Sequence, residues 1–354
     1  MIDTERIEKL RHRFQENENI PILLTDLSNI FYLSGFTGSS AFLIVFPEKK
    51  PIFLCDGRYT TQAEEEVGDG ADIVGFDYRI FQKIAEIVGD NGYKRIYFET
   101  SLSYAHFSLL RETGLDCIPA PAWVEEMRMV KSGQEIEQVE EALHISERAF
   151  QKIRDLIRPG IKEKDLSLEL EYQMEKLGGN DIAFPTIIAS GSRSAFPHAR
   201  PTGATVQSGD WLVLDWGAKY HMYCGDITRT VLVGDGNRGC FNKYFDLVRK
   251  AQILAQESIR DGMLASQVDR QARQYLEENK VAQHFAHGLG HGVGIQIHEA
   301  PRLSPAGDVI LKEGMVVTVE PGIYFPGQGG IRLENMVVVG KDSCRILNSL
   351  PETA

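Results

Sequence analysis

Four carboxylates sit where apolar strand sequence would ordinarily carry none. Leu212-Val-Leu-Asp215-Trp-Gly places a charge after three aliphatic residues, and Gly225-Asp226-Ile-Thr-Arg-Thr places another eleven positions on. Val316-Val-Thr-Val-Glu320-Pro-Gly and Ile331-Arg-Leu-Glu334-Asn repeat the anomaly. A buried, unpaired carboxylate is costly, so each requires a partner. Arg229 and Arg332 are the only obvious candidates among nearby bases, too few for four acids. Histidine is the second anomaly. Six of the nine lie between His198 and His298, three of them in His287-Gly-Leu-Gly-His291-Gly-Val-Gly-Ile-Gln-Ile-His298-Glu. Glycine on both sides of His291 removes bulk and allows close approach to the backbone. Imidazole with several carboxylates is a hard donor set, suited to Mn²⁺, Co²⁺, Zn²⁺ or Fe²⁺.

Charge arithmetic points to a pair of ions. Asp215, Asp226, Glu320 and Glu334 supply four negative charges, two divalent cations supply four positive ones, and neutral His291 adds a fifth ligand. Two such ions typically lie about 3.5–4 Å apart and lower the pKa of a water held between them, giving a nucleophile near neutral pH. Competing motifs are missing. There is no Gly-x-Ser-x-Gly elbow. His298-Glu299-Ala-Pro-Arg302 lacks the second His of a zincin, and neither a dinucleotide fingerprint nor a phosphate loop is present.

The elements that must position these residues read as two parts. In the first, Glu5–Glu16 and Ile80–Val88 have helical apolar spacing, and Ile22–Leu24, Ala41–Phe46, Pro51–Cys55 and Arg95–Phe98 are strand-like, an α/β alternation. Pro119-Ala-Pro121 breaks the chain and predicts a boundary near residue 123. A long helix then begins at the capping box Ser132/Glu135 and runs to Pro159-Gly160. Further helices are expected over Lys164–Leu177 and Phe241–Arg260. Trp211–Lys219 and Met222–Val233 read as one strand pair. Met315–Glu320 and Ile331–Val339 read as another, parted by the turn Pro326–Gly330.

The chain has 354 residues, 43% hydrophobic and 25% charged, with net charge −12. That is enough chain for two domains with ordinary cores. The acidic balance argues against nucleic-acid partners. The longest apolar run, Ala41–Phe46, is far below the roughly 20 residues of a membrane span, and the charged N-terminus has no signal core, so a cytoplasmic protein is expected. Cys55, Cys117, Cys224, Cys240 and Cys344 form no Cys-x-x-Cys pair and read as reduced thiols. The acidic run Glu64–Glu66 reads as a solvated helix face.

Together these residues resemble the metal-dependent Xaa-Pro peptidases, the aminopeptidase P and prolidase group with the pita-bread fold. Asp215, Asp226, His291, Glu320 and Glu334 match the group's five ligands in order. Ala189-Ser-Gly-Ser-Arg-Ser-Ala-Phe-Pro-His198 and Glu320-Pro-Gly-Ile-Tyr324 are similar to its signatures. Asn29-Ile-Phe-Tyr32-Leu-Ser-Gly and Asp56-Gly-Arg-Tyr59 are similar to its N-terminal domain. The resemblance implies an α+β protein: an α/β creatinase/prolidase-like domain over residues 1–123, then a pita-bread catalytic domain over 124–354, a curved antiparallel sheet covered by helices. It implies two divalent ions per chain, Mn²⁺ or Co²⁺ first and Zn²⁺ or Fe²⁺ as alternatives, with Asp226 and Glu334 bridging, Asp215 on one ion, and His291 and Glu320 on the other. Glu320 would also move the proton from water to the leaving nitrogen. His298 and His198 would contact the substrate carbonyl, His287 would line the pocket, and Arg332 and Tyr324 would orient a ligand carboxylate. Expected substrates are small peptides with proline second, cleaved by a homodimer. A methionine-aminopeptidase-like enzyme and a metal-free pita-bread module, whether a peptide-binding domain or a creatinase-like hydrolase, are the alternatives. The extra N-terminal domain disfavours the first, and five intact ligands disfavour the second.

Overall fold

The computed structural model describes residues 1–352; residues 353 and 354, the end of the expected catalytic domain, lie outside them. Contacts divide the chain after Arg128. The first unit contains α1 (Thr4–Glu16), β1 (Ile22–Leu24), α2 (Leu27–Ser34), β2 (Ala41–Val45), β3 (Ile52–Asp56), α3 (Thr60–Glu66), β4 (Asp72–Phe76), α4 (Ile80–Asp90), β5 (Arg95–Glu99), α5 (Tyr104–Glu112), β6 (Asp116–Ala120) and α6 (Trp123–Met129). Six strands form one mixed sheet in the order β4-β3-β2-β1-β5-β6. Leu23, Ile44, Leu54 and Ile96 pack there against Ile84, Ile87 and Val88 of α4, on the face expected from the sequence, and against Phe81, with Ile80 only partly buried.

The proline break falls differently from expectation. Pro119 and Ala120 are the last residues of β6, paired in parallel with Phe98 and Glu99. Strand β6 is an edge, where a residue without N–H is tolerated. The Trp123 ring lies 4.7 Å from Tyr97 and 6.2 Å from Phe14, and Arg128 donates to Asn29 Oδ1 at 2.7 Å. Helix α6 therefore packs with the first unit.

The second unit opens with α7 (Gly133–Ile153) and α8 (Glu163–Lys176). The capping box forms as expected, Ser132 Oγ accepting from Glu135 N and Glu135 accepting from Ser132 N. There follow β7 (Asp181–Ile182), β8 (Ile187–Ser190), β9 (Trp211–Trp216), β10 (Ala218–Tyr220), β11 (Tyr223–Cys224), β12 (Ile227–Leu232), α9 (Arg238–Ser258), α10 (Ala265–Glu278), β13 (Gly290–Gly292), β14 (Glu299–Leu303), β15 (Val316–Val319), β16 (Gly322–Phe325), β17 (Gly329–Arg332), β18 (Asn335–Val339) and β19 (Cys344–Ile346).

These strands form antiparallel sheets, chiefly β12-β9-β8 and β14-β13-β15-β18-β19. Each expected strand pair divides in two. Strand β9 pairs with β12 and β10 with β11. Strand β15 pairs with β18, Val316 opposite Val338, whereas the turn at 326–330 closes the separate hairpin β16–β17. Helices α9 and α10 cover the sheet through Phe245, Val248, Val268 and Leu276 against Val317, Val319 and Val337. No helix among the described residues is long and apolar enough to cross a membrane.

Candidate active site

The five ligand candidates lie on or directly beside strands of the two antiparallel sheets. Asp215 is on β9, opposite Thr228 of β12, and Asp226 precedes that strand. His291 is the middle residue of β13; β13 pairs with β15, which Glu320 follows, and β15 pairs with β18, which Glu334 precedes. Backbone bonds fix the joints. Glu334 N donates to Thr228 O at 3.1 Å and Glu320 N to Leu289 O at 2.8 Å, and Gln252 of α9 donates to Val319 O at 2.9 Å. The glycines around His291 serve close strand packing. A Cβ on Gly290 would fall 2.0 Å from Thr318 O, and one on Gly292 would fall 2.2 Å from Ala300 O.

Asp226, His291 and Glu334 each present a ligand atom within 4.8 Å of the others. His291 Nε2 lies 3.4 Å from Glu320 Oε1 and 3.7 Å from Asp226 Oδ2. Burial pulls the His291 pKa down to about 3, so the ring is neutral and these contacts are not ion pairs. Its Nδ1 faces Gly292 O at 3.1 Å, an oxygen that can only accept. The proton is therefore on Nδ1, leaving the Nε2 lone pair aimed at the carboxylates. Burial, then the neighbouring Glu334 charge, raises the Asp226 and Glu320 carboxyls well above their ordinary range. Burial, then Asp215, pushes Glu334 up to about 8. Asp215 Oδ2 receives Arg332 NH2 at 2.6 Å, whereas Asp215 Oδ1 is buried with no hydrogen-bond partner. The acids thus lack sufficient partners within the chain.

Arg229, the other cation expected to pair a carboxylate, is spent elsewhere. Its guanidinium donates to the carbonyls of Thr228, Glu334, Leu350 and Pro351 and to Asn335 Oδ1. Arg332 is the charged organiser instead. Besides Asp215 it donates to Tyr324 OH at 2.9 Å, Pro197 O at 3.1 Å and Thr228 Oγ1 at 3.2 Å. Since Tyr324 OH accepts from Arg332, its own proton goes to His287 Nε2, 2.9 Å away, and His287 Nδ1 donates to Gly288 O at 2.8 Å. His287 therefore has both nitrogens engaged and is neutral, burial lowering its pKa to about 4.

A cavity of about 660 Å³ opens over the cluster, lined by Asp215, Asp226, His291, Glu320, Arg332 and Glu334 and also by His198, His287 and His298. The structure thus brings together every site residue expected from the sequence except Tyr324, which stands behind His287. Residue models of two kinds match the chain: Metallopeptidase family M24 over residues 137–341, and Creatinase/Prolidase N-terminal domain over residues 6–130.

The chain belongs to metallopeptidase family M24.

It is 33% identical to a Xaa-Pro dipeptidase of Pyrococcus furiosus over 97% of both chains. Among solved structures it superposes on a Xaa-Pro dipeptidase from Bacillus anthracis with TM-score 0.94 at 36% identity, and on an X-Pro aminopeptidase from Thermotoga maritima with TM-score 0.91 at 36% identity, each over 98% of both chains. The α/β first unit and the helix-covered antiparallel second unit are therefore the creatinase/prolidase-like and pita-bread folds expected from the resemblance.

An M24 enzyme uses divalent metal, and the residues here fit one. Neutral His291 offers a free lone pair, Asp215 Oδ1 is buried and unpartnered, and Asp226 and Glu334 bring ligand atoms together with His291. Cavity residues that sequence reasoning missed are Phe184, Pro185, Ile187 and Ile297, which form an apolar wall, and the cations Arg200 and Arg302. None carries a motif. The one available signal was the position of Arg302, on the same short stretch as His298.

Proposed function

We propose that this protein is a dinuclear Xaa-Pro peptidase that releases the first residue of short peptides. The observation that carries the reading is the convergence of Asp226, His291 and Glu334 ligand atoms within 4.8 Å beside the orphaned Asp215 Oδ1. Asp215, Asp226, His291, Glu320 and Glu334 would hold two divalent ions, and this hard donor set favours Mn²⁺ or Co²⁺. When bound, the ions supply Lewis-acid polarisation of the scissile carbonyl and a water acidic enough to lose its proton near neutral pH.

The chain's own residues do the rest. Glu320 accepts the proton of the attacking water and delivers it to the leaving nitrogen. His298 lines the cavity, its pKa lowered by partial burial and by Arg302, and it offers a ring N–H to the substrate oxygen. His198 supplies a second donor for the charge that develops on that oxygen. His287 offers no free nitrogen and acts through its ring face, a wall suited to a proline ring. Arg332 and Tyr324 hold Asp215 and His287 in orientation. A bond before proline has no N–H, so a mechanism resting on carbonyl polarisation rather than on strand-like backbone pairing suits it.

Arg302 is exposed, lines the cavity, and its side chain makes no hydrogen bond or ion pair among the described residues. We read it as the partner of a substrate's free carboxylate, which favours Xaa-Pro dipeptides over longer chains. We take the protein as a cytoplasmic homodimer, open to test by sedimentation, with its creatinase/prolidase-like and catalytic parts divided after Arg128 rather than at the expected 123/124 boundary. The deciding experiment is to load the purified enzyme with Mn²⁺ or Co²⁺, count bound metal, and compare a Xaa-Pro dipeptide with a Xaa-Pro-Xaa tripeptide. Absence of bound metal, or no cleavage of either peptide, overturns the reading.

A further inference from the structure

The loop that carries His198 is anchored at both ends by a single carboxylate. Glu163, the first residue of α8, is 0% exposed, and six hydrogen bonds end on it. Its Oε1 accepts from Ser190 N at 2.9 Å, Ser190 Oγ at 3.2 Å and Arg193 Nε at 3.1 Å. Its Oε2 accepts from Arg193 Nε at 3.1 Å, Thr202 N at 3.0 Å and Thr202 Oγ1 at 2.8 Å. Ser190 is the last residue of β8, where the loop departs, and Thr202 is where it returns. Backbone bonds continue the seam, with Lys164 N on Thr202 O and Glu163 N on Ala204 O, both at 3.0 Å.

Beside Glu163, Ser194 Oγ accepts from Gly330 N at 2.8 Å, the Arg193 guanidinium donates to Arg200 O at 2.6 Å, and buried Ala199 packs against Ile187 and Ala189. Between these holds Phe196 is 58% exposed, and the exposed His198 makes no hydrogen bond among the described residues. What aims His198 is the path of the loop backbone. On the cavity side that path is fixed by Arg332, which donates to Pro197 O at 3.1 Å. On the far side it is fixed by Glu163. The residue type matters, because a carboxylate accepts on both oxygens and donates on neither, whereas an amide presents N–H donors on one side. Its place in the first turn of α8 also suits a negative charge.

We propose that Glu163 is a positioning residue for turnover, acting through the Ser190–Thr202 loop to aim His198 at the substrate. The inference rests on His198 contacting the substrate as proposed above. Glu163→Gln keeps the size of the side chain but turns one oxygen into a donor facing donors. The test is a cycle with His198→Ala, together with amide hydrogen exchange across the loop. Glu163→Gln should speed exchange in the loop while leaving α7 and α9 unchanged, and should lower kcat/KM about tenfold or more. In the His198→Ala background the further loss should be less than about twofold, because coupled residues are non-additive. If Glu163→Gln does not fold, Thr202→Val, which deletes one donor, is taken through the same cycle with the same pattern expected. Equal losses in both backgrounds, unchanged loop exchange, or a fully active His198→Ala variant overturns the proposal. A wild-type enzyme inactive on Xaa-Pro peptides would instead defeat the peptidase reading, and exchange would still decide whether Glu163 anchors the loop.

Discussion

Removing the metal should make the stability of the catalytic unit strongly dependent on pH, in a direction the buried acids dictate. Glu334 is 2% exposed, and burial, then Asp215, pushes its carboxyl from 4.5 up to about 8. Below pH 4.5 this group is protonated in both folded and unfolded chains and favours neither. Between 4.5 and about 8 the unfolded chain ionises it and the folded chain does not, so stability present at low pH is lost as pH rises through the folded value. At about 1.4 kcal/mol per pH unit, a shift of that size is worth several kcal/mol, shared across the interacting cluster. Asp226 and Glu320 belong to that cluster and are raised in the same sense. A loss of this size is comparable with the whole stability of an ordinary domain. Bound cations favour the ionised acids in the folded state and reverse the trend. The assay is thermal unfolding of chelator-treated and metal-reloaded protein from pH 5 to 9, followed by a probe of the second unit. The treated protein should lose its melting temperature steadily with rising pH, and the reloaded protein should not. A metal-free protein as stable at pH 8.5 as at pH 6 would show that these four acids do not share one buried cluster.

Three further outcomes are expected. Glu320→Gln should keep the fold but lower kcat by about 10²–10⁴-fold under saturating metal, the usual worth of a positioned proton carrier; full activity removes Glu320 from the mechanism. Arg302→Ala should raise KM for a Xaa-Pro dipeptide about tenfold or more while changing a carboxyl-blocked substrate little, since a charge-assisted bond to carboxylate is worth about 1.5–3 kcal/mol; equal changes for both substrates exclude Arg302 as the carboxylate partner. In the first unit, burial pushes Glu99 up to about 7 despite bonds from Thr25 N and Asn29 Nδ2. That unit should therefore lose about 3 kcal/mol between pH 4.5 and 7, and Glu99→Gln should remove most of this dependence in denaturant titrations.

Much of the chemistry could be read from the chain because it violates local rules. A carboxylate after three aliphatic residues is anomalous whatever surrounds it, and Asp215, Asp226, Glu320 and Glu334 all stood out this way. His291 stood out because its glycine neighbours leave no side chains to explain the spacing. Helix α7 was legible through its capping box and apolar period. Helix α2 was not, because Asn29-Ile-Phe-Tyr32 is rich in β-forming residues, and the Asp26 side chain capping Ser28 N and Asn29 N decides the matter. Pro119 misled in the opposite sense: proline ends a helix or a central strand, but an edge strand accepts it.

The residues that stayed hidden share a physical character. Glu163, Asp269 and Glu299 look like ordinary surface acids in sequence, yet each is the buried end of an ion pair that fixes a segment bearing a pocket histidine. Glu163 holds the His198 loop. Asp269 takes both arms of Arg273, accepts from Leu289 N at 3.1 Å, and so steadies the turn of His287, whose carbonyl Arg273 also holds at 2.9 Å. Glu299 meets Lys131 at 3.3 Å and Gln296 N at 2.9 Å immediately after His298. Ligands on strands are placed by sheet register, which local pattern reveals. Histidines on loops need an anchor from another element, and contacts such as Glu163–Arg193 and Lys131–Glu299, 30 and 168 residues apart, leave no mark on local pattern. The division follows from what each group must do: the ligand cluster tolerates no displacement and is built on strands, whereas the substrate-facing histidines sit on loops made rigid by buried charge.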